Sequence, residues 1–419
     1  MLGIHVILPN SRRRQRLVVA VGTLSVVLVL IFGSLGPVWV NSRPAVTLSK
    51  TVTSYQTVTT TKILPPFLHA DGNLIVDAYD SPVWLHGANI ASFEHANFDD
   101  YKNIAILGFN VVRLPVYWSG IEPTPRHYDE KYLQRIDENV RWAKSLGLYV
   151  VIDIHQYYWA YRFPTPDGWN GSGLPDWAVT GFPGTEAGRN AAITMFWSNT
   201  TLRGSFDRLW QLIASRYQNE TSVAGYDLLN EPLAGNIPVR QFTTSILPSF
   251  YGEVISAIRK VDSHHLIFYE SSLDALYTPV FVNAYNTAYS PHFYMFSFSN
   301  FYNETWQNGL EPQVMNGTFQ MQIANVTVPI WVGEFGTQLK MPGWQGWVKQ
   351  TLQVFAQHKV GWSWWCYQRD DSPSFALAYQ NGTLKTELTS LLTNPSTITT
   401  LSPAQCVNCT ISALDVSKH

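Results

Sequence analysis

The chain has little cysteine and little charge. Only Cys366, Cys406 and Cys409 occur in 419 residues, too few for a disulfide framework. Cys406 and Cys409 lie in a Ser/Thr-rich tail without two further ligands nearby, which argues against a structural zinc site and for a local disulfide or two unpaired thiols. Charged residues make up 14% of the chain and the formal net charge is −2. Without a basic face, a nucleic-acid partner is not expected. No Gly-rich phosphate loop follows the first apolar run, which argues against a doubly wound nucleotide-binding sheet. His86-Gly87-Ala88 stands where a metal-dependent barrel hydrolase would carry His-x-His. No cofactor and no metal are expected.

What the chain does have is apolar and aromatic residues. Hydrophobic residues make up 46% of it, with 16 Trp and 21 Tyr. Such an excess packs a large core, and it also suits a cleft whose ring faces stack on sugars.

The N-terminus reads as a membrane signal. A basic stretch over 1–16 carries Arg12, Arg13, Arg14 and Arg16, and an uncharged run from Leu17 to Val40 follows. At 1.5 Å per residue, roughly 20 apolar residues cross the hydrocarbon core. Arginines stay on the cytoplasmic side, so the remainder is expected outside, tethered by a transmembrane or signal-anchor helix over 17–40. A cleaved signal peptide is the alternative. Residues 41–63, with Thr47–Thr61 at their centre, are Ser/Thr-rich without helical periodicity and read as a stalk. Asn-x-Ser/Thr sequons begin at Asn170, Asn199, Asn219, Asn303, Asn316, Asn325, Asn381 and Asn408, in keeping with an extracytoplasmic glycoprotein.

Residues 64–393 read as one α/β domain, followed by a C-terminal tail over 394–419. Phe67–Ala70 and Leu74–Val76 flank Asp71-Gly72-Asn73, a hairpin signal. Apolar runs follow at Trp84–Asn89, Asn110–Pro115, Leu148–His155, Val223–Asn230, His265–Glu270, Tyr289–Phe293, Pro329–Phe335 and Val360–Tyr367. Amphipathic stretches such as Tyr132–Leu146 and Phe250–Val261 lie between them. Eight alternations with continuously apolar strands predict a (β/α)8 TIM barrel rather than an open sheet.

Ionisable and aromatic residues gather at the C-terminal ends of these runs, the active face of a barrel. Arg113, His155, Asn230-Glu231-Pro232, His292-Phe293-Tyr294, Gly333-Glu334-Phe335 and Trp364-Trp365 all stand there. Carboxylates at apolar strand ends are costly unless partnered or used. Glu231 and Glu334 could be members of a buried ion pair with Arg113. They could also be the two carboxyls that glycoside hydrolysis requires, one to protonate the leaving oxygen and one to attack.

The ordered set Arg113, His155, Asn230-Glu231-Pro232, His292-Phe293-Tyr294, Glu334 and Trp365 resembles the family 5 glycoside hydrolases, the cellulase-type branch of the retaining clan, over roughly residues 64–393. The resemblance implies Glu231 as acid/base and Glu334 as nucleophile. It implies that Asn230 donates to the sugar 2-hydroxyl, that Tyr294 hydrogen-bonds Glu334 and that Arg113 lies beneath it. His292 would border the acid/base, His155 would line the −1 subsite, and Trp365 would form the sugar floor, with Trp364 as the alternative if the register slips. Asp153-Ile154-His155-Gln156, Pro175-Asp176-Trp177-Ala178, Phe196-Trp197 and Tyr226-Asp227-Leu228-Leu229-Asn230-Glu231-Pro232 are similar to the endoglycoceramidase and glucosylceramidase branch. A retaining β-glycosidase is therefore expected, acting as a monomer on oligo- or polysaccharide β-glucosides or on glycolipids, with no partner beyond substrate and membrane. The same residues would serve a β-mannanase, a cell-surface transglycosylase or a catalytically weak carbohydrate-binding protein.

Other residues carry blander expectations. His264-His265 reads as a surface pair, and Asp153 as a residue that holds backbone or a loop. Glu270, Asn89 and Glu94 are candidates for substrate contact. The aromatics Trp159, Tyr161, Trp169, Trp177, Phe196 and Trp197 either pack their segment or bind sugar.

Overall fold

The computed structural model describes residues 67–393 apart from 167, 169, 296 and 298–310, together with two short N-terminal segments. The chain divides into two compact units, Met1–Thr59 and Thr60–His419. In the first, β1 (Val21–Gly22) pairs antiparallel with β2 (Ser25–Val26). Those four residues are extended rather than helical. The rest of the expected anchor and the stalk lie outside the described residues, as does the tail with Cys406 and Cys409. Among the described residues no helix is long and apolar enough to cross a membrane.

In the second unit, β3 (His69–Asp71) and β4 (Leu74–Val76) form the expected antiparallel hairpin. Its turn places Gly72 at φ +56°, a conformation glycine adopts without steric cost.

The strands that follow are β5 (His86–Ile90), β6 (Val111–Val116), β7 (Tyr149–Ile154), β8 (Val223–Asp227), β9 (Leu266–Tyr269), β10 (Thr287–Tyr289), β11 (His292–Phe293), β12 (Trp331–Phe335) and β13 (Gly361–Tyr367). They pair in parallel in the order β10-β9-β8-β7-β6-β5-β13-β12-β11. The two end strands, β10 and β11, are consecutive in sequence and separated only by Ser290-Pro291. Proline cannot donate to a ladder, so the sixth barrel strand is interrupted there. Its first half pairs with β9, its second half with β12, and Tyr289 bridges to Ile330. The nine strands thus close as eight staves, the arrangement of a (β/α)8 barrel.

Helices cover the outside. Glu130–Ser145 begins at Asp129, whose side chain accepts from the backbone N–H groups of Lys131 and Tyr132, satisfying donors left open at a helix start. Its buried face is Leu133, Ile136, Val140 and Ala143, the spacing that puts one stripe against a sheet. Thr200–Tyr217 and Leu247–Ile258 pack similarly. The segment between β7 and Thr200 contains a helix that periodicity did not mark, Glu186–Ser198.

Two apolar cores result. The outer one lies between strands and helices and takes in Trp159, Phe196 and Trp197, so these aromatics pack their segment rather than line a sugar site. Trp177 is half-buried and donates to the Glu122 carbonyl, whereas Tyr161 is exposed. Trp169 lies outside the described residues. The inner core fills the N-terminal half of the barrel with Leu85, Val111, Val151, Ala224, Leu266, Phe268 and Trp331, and Leu68 and Ile75 of the hairpin region plug it.

One surface expectation is corrected here. His264 is exposed, but His265 is buried, bonded to Asp262 at 2.5 Å and to the Glu220 carbonyl, with Phe67 edge-on. It locks the turn before β9.

Candidate active site

Above the inner core, the same strands turn ionic. Arg113 on β6 is fully buried and donates five hydrogen bonds. Nε reaches Asp227 at 3.0 Å, Nη1 reaches Asn89 at 3.1 Å and Glu334 at 2.6 Å, and Nη2 reaches Asn230 at 3.0 Å and Glu270 at 2.8 Å. These use all five guanidinium N–H groups, and Asp153 lies 3.1 Å from Nη2. Burial works against the guanidinium charge, but Asp153, Asp227, Glu334 and Glu270 together hold its pKa well above the ordinary value.

Glu334, near the end of β12, is 5% exposed. Its Oε1 accepts from Arg113 and its Oε2 accepts from the Tyr294 hydroxyl at 2.9 Å. Burial and the carboxylates of Glu334 and Glu231 push the Tyr294 hydroxyl well above its usual pKa, so it remains a donor. Glycine is required on both sides of Glu334. A Cβ on Gly333 would fall 2.4 Å from Ser290 Oγ, and one on Gly336 would fall 2.4 Å from the Trp365 carbonyl.

Glu231 follows β8 and is 13% exposed. Its backbone adopts φ +42°, a left-handed conformation that a non-glycine residue holds only when its surroundings fix it. Two side chains fix it. Gln156 donates to the carbonyls of both Asn230 and Glu231, and the Glu231 N–H donates to Glu270 Oε2 at 2.8 Å. Its Oε1 meets His292 Nδ1 at 3.0 Å.

His292 is fully buried between three carboxylates. Nδ1 is 3.0 Å from Glu231 and 3.5 Å from Glu334, and Nε2 is 3.3 Å from Glu270. Burial favours neutral imidazole, but Glu270, Glu334 and Glu231 outweigh it and hold the pKa well above its usual value. In turn burial pushes Glu270 up to about 8 and Asp227 up to about 6. Two cations cannot offset every carboxylate in so dry a space.

The remaining predicted residues close the cleft. Trp365 is half-buried and stacks on His155 at 5.4 Å with an interplanar angle of 8°. Trp364 points into the outer core and donates to the Phe375 carbonyl. Asp153 binds His155 Nδ1 at 2.7 Å as well as Arg113, so it holds side chains rather than a loop. The Asn230 amide gives one N–H to the Gln156 carbonyl and keeps a second available. Asn89 is buried and spent on Gly333, Ser363, Trp364 and Arg113, so it is not a substrate contact. Glu94 accepts from Tyr132. Sequence reasoning missed Gln156 and Asp227.

One carboxyl oxygen of Glu231, one of Glu334 and a ring nitrogen of His292 all lie within 4.8 Å of one another. Asp153, Asp227 and Glu270 form a second such group, but Arg113 reaches all three and already supplies the positive charge that a cation would bring. Paired carboxyls at this spacing, one donor-rich and one facing an imidazole, can protonate a leaving group and attack an acetal carbon across a cleft.

Comparison with known proteins gives the family. Residues 76–371 match the family model for cellulase, glycosyl hydrolase family 5. The chain belongs to that family. An endoglycoceramidase of Hydra vulgaris is 26% identical over 260 residues, covering 48% of this chain and 49% of the relative. That match therefore spans about half the relative's length. An endoglycoceramidase of Cyanea nozakii is 27% identical over 363 residues, covering 70% of this chain and 67% of the relative. The crystal structure of an endogalactoceramidase superimposes with a TM-score of 0.66 at 26% identity, covering 78% of this chain and 84% of that one. This family 5 chain thus shares its barrel with a protein named for a glycosylated ceramide.

Proposed function

We propose that this family 5 chain is a retaining β-glycoside hydrolase that cleaves the bond between sugar and lipid in a glycosylated ceramide. The observation that carries the reading is the placement of Glu231 and Glu334 oxygens within 4.8 Å across one cleft. Retaining enzymes hold their carboxyls about 5–5.5 Å apart, inverting ones about 6.5–9.5 Å to admit a water. In the first step Glu334 attacks the anomeric carbon while Glu231 gives its proton to the departing oxygen. In the second, Glu231 takes a proton from water, the water attacks the same carbon, and Glu334 leaves. Arg113 and Tyr294 donate to Glu334, which suits a carboxylate that must attack. The Glu231 carboxyl meets His292 and is the more exposed of the two, which suits a group that must keep a proton and trade it with substrate. Trp365 offers a ring face to the sugar in the −1 subsite, and His155 supports that ring from behind.

The lipid aglycone is supported by the relatives named for ceramide glycosides and by the basic-then-apolar N-terminus, which would tether the enzyme to a membrane with its barrel outside. A β-glucan is the second reading, favoured by the cellulase model over residues 76–371. Hydrolysis by the full chain in detergent, offered glucosylceramide, cello-oligosaccharides, laminarin and mannan with Glu334→Gln as control, decides between them. Release of sugar from the ceramide is expected. Cleavage of glycans alone would replace the lipid with a polysaccharide, and transfer products dominating at low acceptor concentration would make the enzyme a transglycosylase. Extraction of the full chain from membranes by detergent, but not by high salt or carbonate, would support the tether; recovery in the soluble fraction would overturn it.

A further inference from the structure

Glu270 stands just past β9, 1% exposed, outside the set of residues that carries the family resemblance and without a role in the two chemical steps. Its two carboxyl oxygens face different donors. Oε2 accepts the Glu231 N–H at 2.8 Å. Oε1 accepts from Arg113 Nη2 at 2.8 Å and lies 3.3 Å from His292 Nε2. The other nitrogen of that ring meets Glu231 Oε1 at 3.0 Å. Glu270 therefore holds Glu231 directly at its backbone and faces, at an ion-pair distance rather than in a formed hydrogen bond, the imidazole that meets its carboxyl.

The geometry points to Glu270 as a positioning residue for the acid/base, which fixes the left-handed backbone of Glu231 and shares one proton with His292 so that the ring's Nδ1–H always points at Glu231 Oε1. This rests on the assignment of Glu231 above. Whether the shared proton sits on Oε1 of Glu270 or on Nε2 of His292, Nδ1 remains a donor. Oε1 of Glu231 is then committed to accepting, and the proton for the leaving group must ride on Oε2. Left without Glu270, the ring can carry its only proton on Nε2 and accept at Nδ1, drawing the catalytic proton away from substrate.

Every charged neighbour is consistent with this arrangement. His292 is faced by Glu231 after β8, Glu270 after β9 and Glu334 on β12. Behind Glu270 stand Arg113 on β6 and the Tyr251 hydroxyl, which donates to its carbonyl; Asp227 on β8 acts on it through charge, and a carboxyl oxygen of Asp153 on β7 lies within 4.8 Å of one of its own. Burial raises the Glu270 carboxyl against the pull of His292 and Arg113, and Glu270 leads the carboxylates that raise His292. A glutamine at 270 cannot substitute, because it offers one acceptor where the site has donors on both sides.

The test is ¹⁵N NMR of the histidine rings in the full chain between about pH 5 and 9, with kcat and KM on an aryl β-glucoside for the wild type, Glu270→Gln and Glu270→Asp. In the wild type, His292 should keep its Nδ1 proton throughout that range. In Glu270→Gln, it should titrate at or below the ordinary histidine range, kcat should fall roughly 30-fold or more with KM nearly constant, and the alkaline limb of the pH profile should move down by about one unit. Glu270→Asp keeps the charge but not the reach, so it should restore the His292 titration and only part of kcat. An ordinary titration of His292 in the wild type would overturn the proposal, as would a Glu270→Gln enzyme with unchanged kcat and alkaline limb. If Glu270→Gln does not fold, the wild-type titration and Glu270→Asp decide. If the wild type cleaves no β-glycoside, the assignment of Glu231 falls, and the His292 titration still decides whether Glu270 and His292 share a proton.

Discussion

The lower and upper halves of the barrel interior are built by the same strands and obey opposite rules. On β6 the inward residue changes from Val111 to Arg113, on β7 from Val151 to Asp153, and on β9 from Phe268 to Glu270 just past its end. Each change is a step of two residues, which in a strand keeps the face and moves about 7 Å along the axis. Below the step the side chains are apolar and sealed by the hairpin. Above it one guanidinium and two imidazoles hold a ring of carboxyls. The lower layer stabilises the fold by burial. The upper layer is costly to bury, and its partners are arranged so that Glu334 is surrounded by donors while Glu231 faces the cleft.

Breaking the upper layer should cost most at its reacting end. Glu334→Ala is expected to lower kcat by roughly 10⁴-fold or more while leaving the fold intact. Azide should then restore turnover and give an α-glycosyl azide, whereas Glu231→Ala with azide should give the β-product. Product analysis by NMR checks both, and exchanged anomers would reverse the two roles.

Arg113→Met removes the cation and leaves carboxyls facing one another in a dry space. A loss of about 3–5 kcal/mol is expected in urea unfolding, the range for breaking a buried ion pair from one side, together with loss of activity. In the lower layer, Leu266→Ala should also destabilise, by about 2–5 kcal/mol, yet kcat per folded molecule should be unchanged. Loss of kcat in Leu266→Ala would show that the two layers are not separable.

The smallest effect sharpens the comparison through pH. Glu270, at about 8, and Asp227, at about 6, are held above the ordinary carboxyl value, so the folded chain keeps protons that the unfolded chain has released. Their contribution to stability is full below the unfolded carboxyl pKa and is lost as pH rises through about 6 and then about 8. His86, lowered to about 4 by burial, acts oppositely between about 4 and 6.5, so the window above pH 6.5 isolates the upper layer. The urea midpoint should fall across that window, and Glu270→Gln should flatten the fall. A midpoint that rises with pH there would contradict the charge arrangement.

Much of this was legible in the sequence because the barrel writes its chemistry at the ends of apolar runs. Arg113, Glu231, His292, Tyr294, Glu334 and Trp365 stood out as polar or aromatic residues where a buried strand stops, and the fold brings them together. What was illegible depends on partners far apart in sequence. Nothing local marks Gln156 as the residue that holds two carbonyls of the Asn230–Glu231 turn, or Asn89 as a brace for Arg113. His265 looked like a surface residue although Asp262 stands three residues before it; the Glu220 carbonyl and the cover over its ring come from tertiary contact. The break in the sixth strand was signalled by Pro291, but its consequence, two half-strands closing opposite edges of one barrel, follows only from the pairing.

The most direct test of the central claim is the anomeric form of the sugar first released from a β-glycoside, followed by ¹H NMR before mutarotation sets in. Two carboxyls as close as Glu231 and Glu334 predict the β-anomer first, through a glycosyl intermediate on Glu334. Appearance of the α-anomer first would mean single displacement by water, and Glu334 would not be the nucleophile.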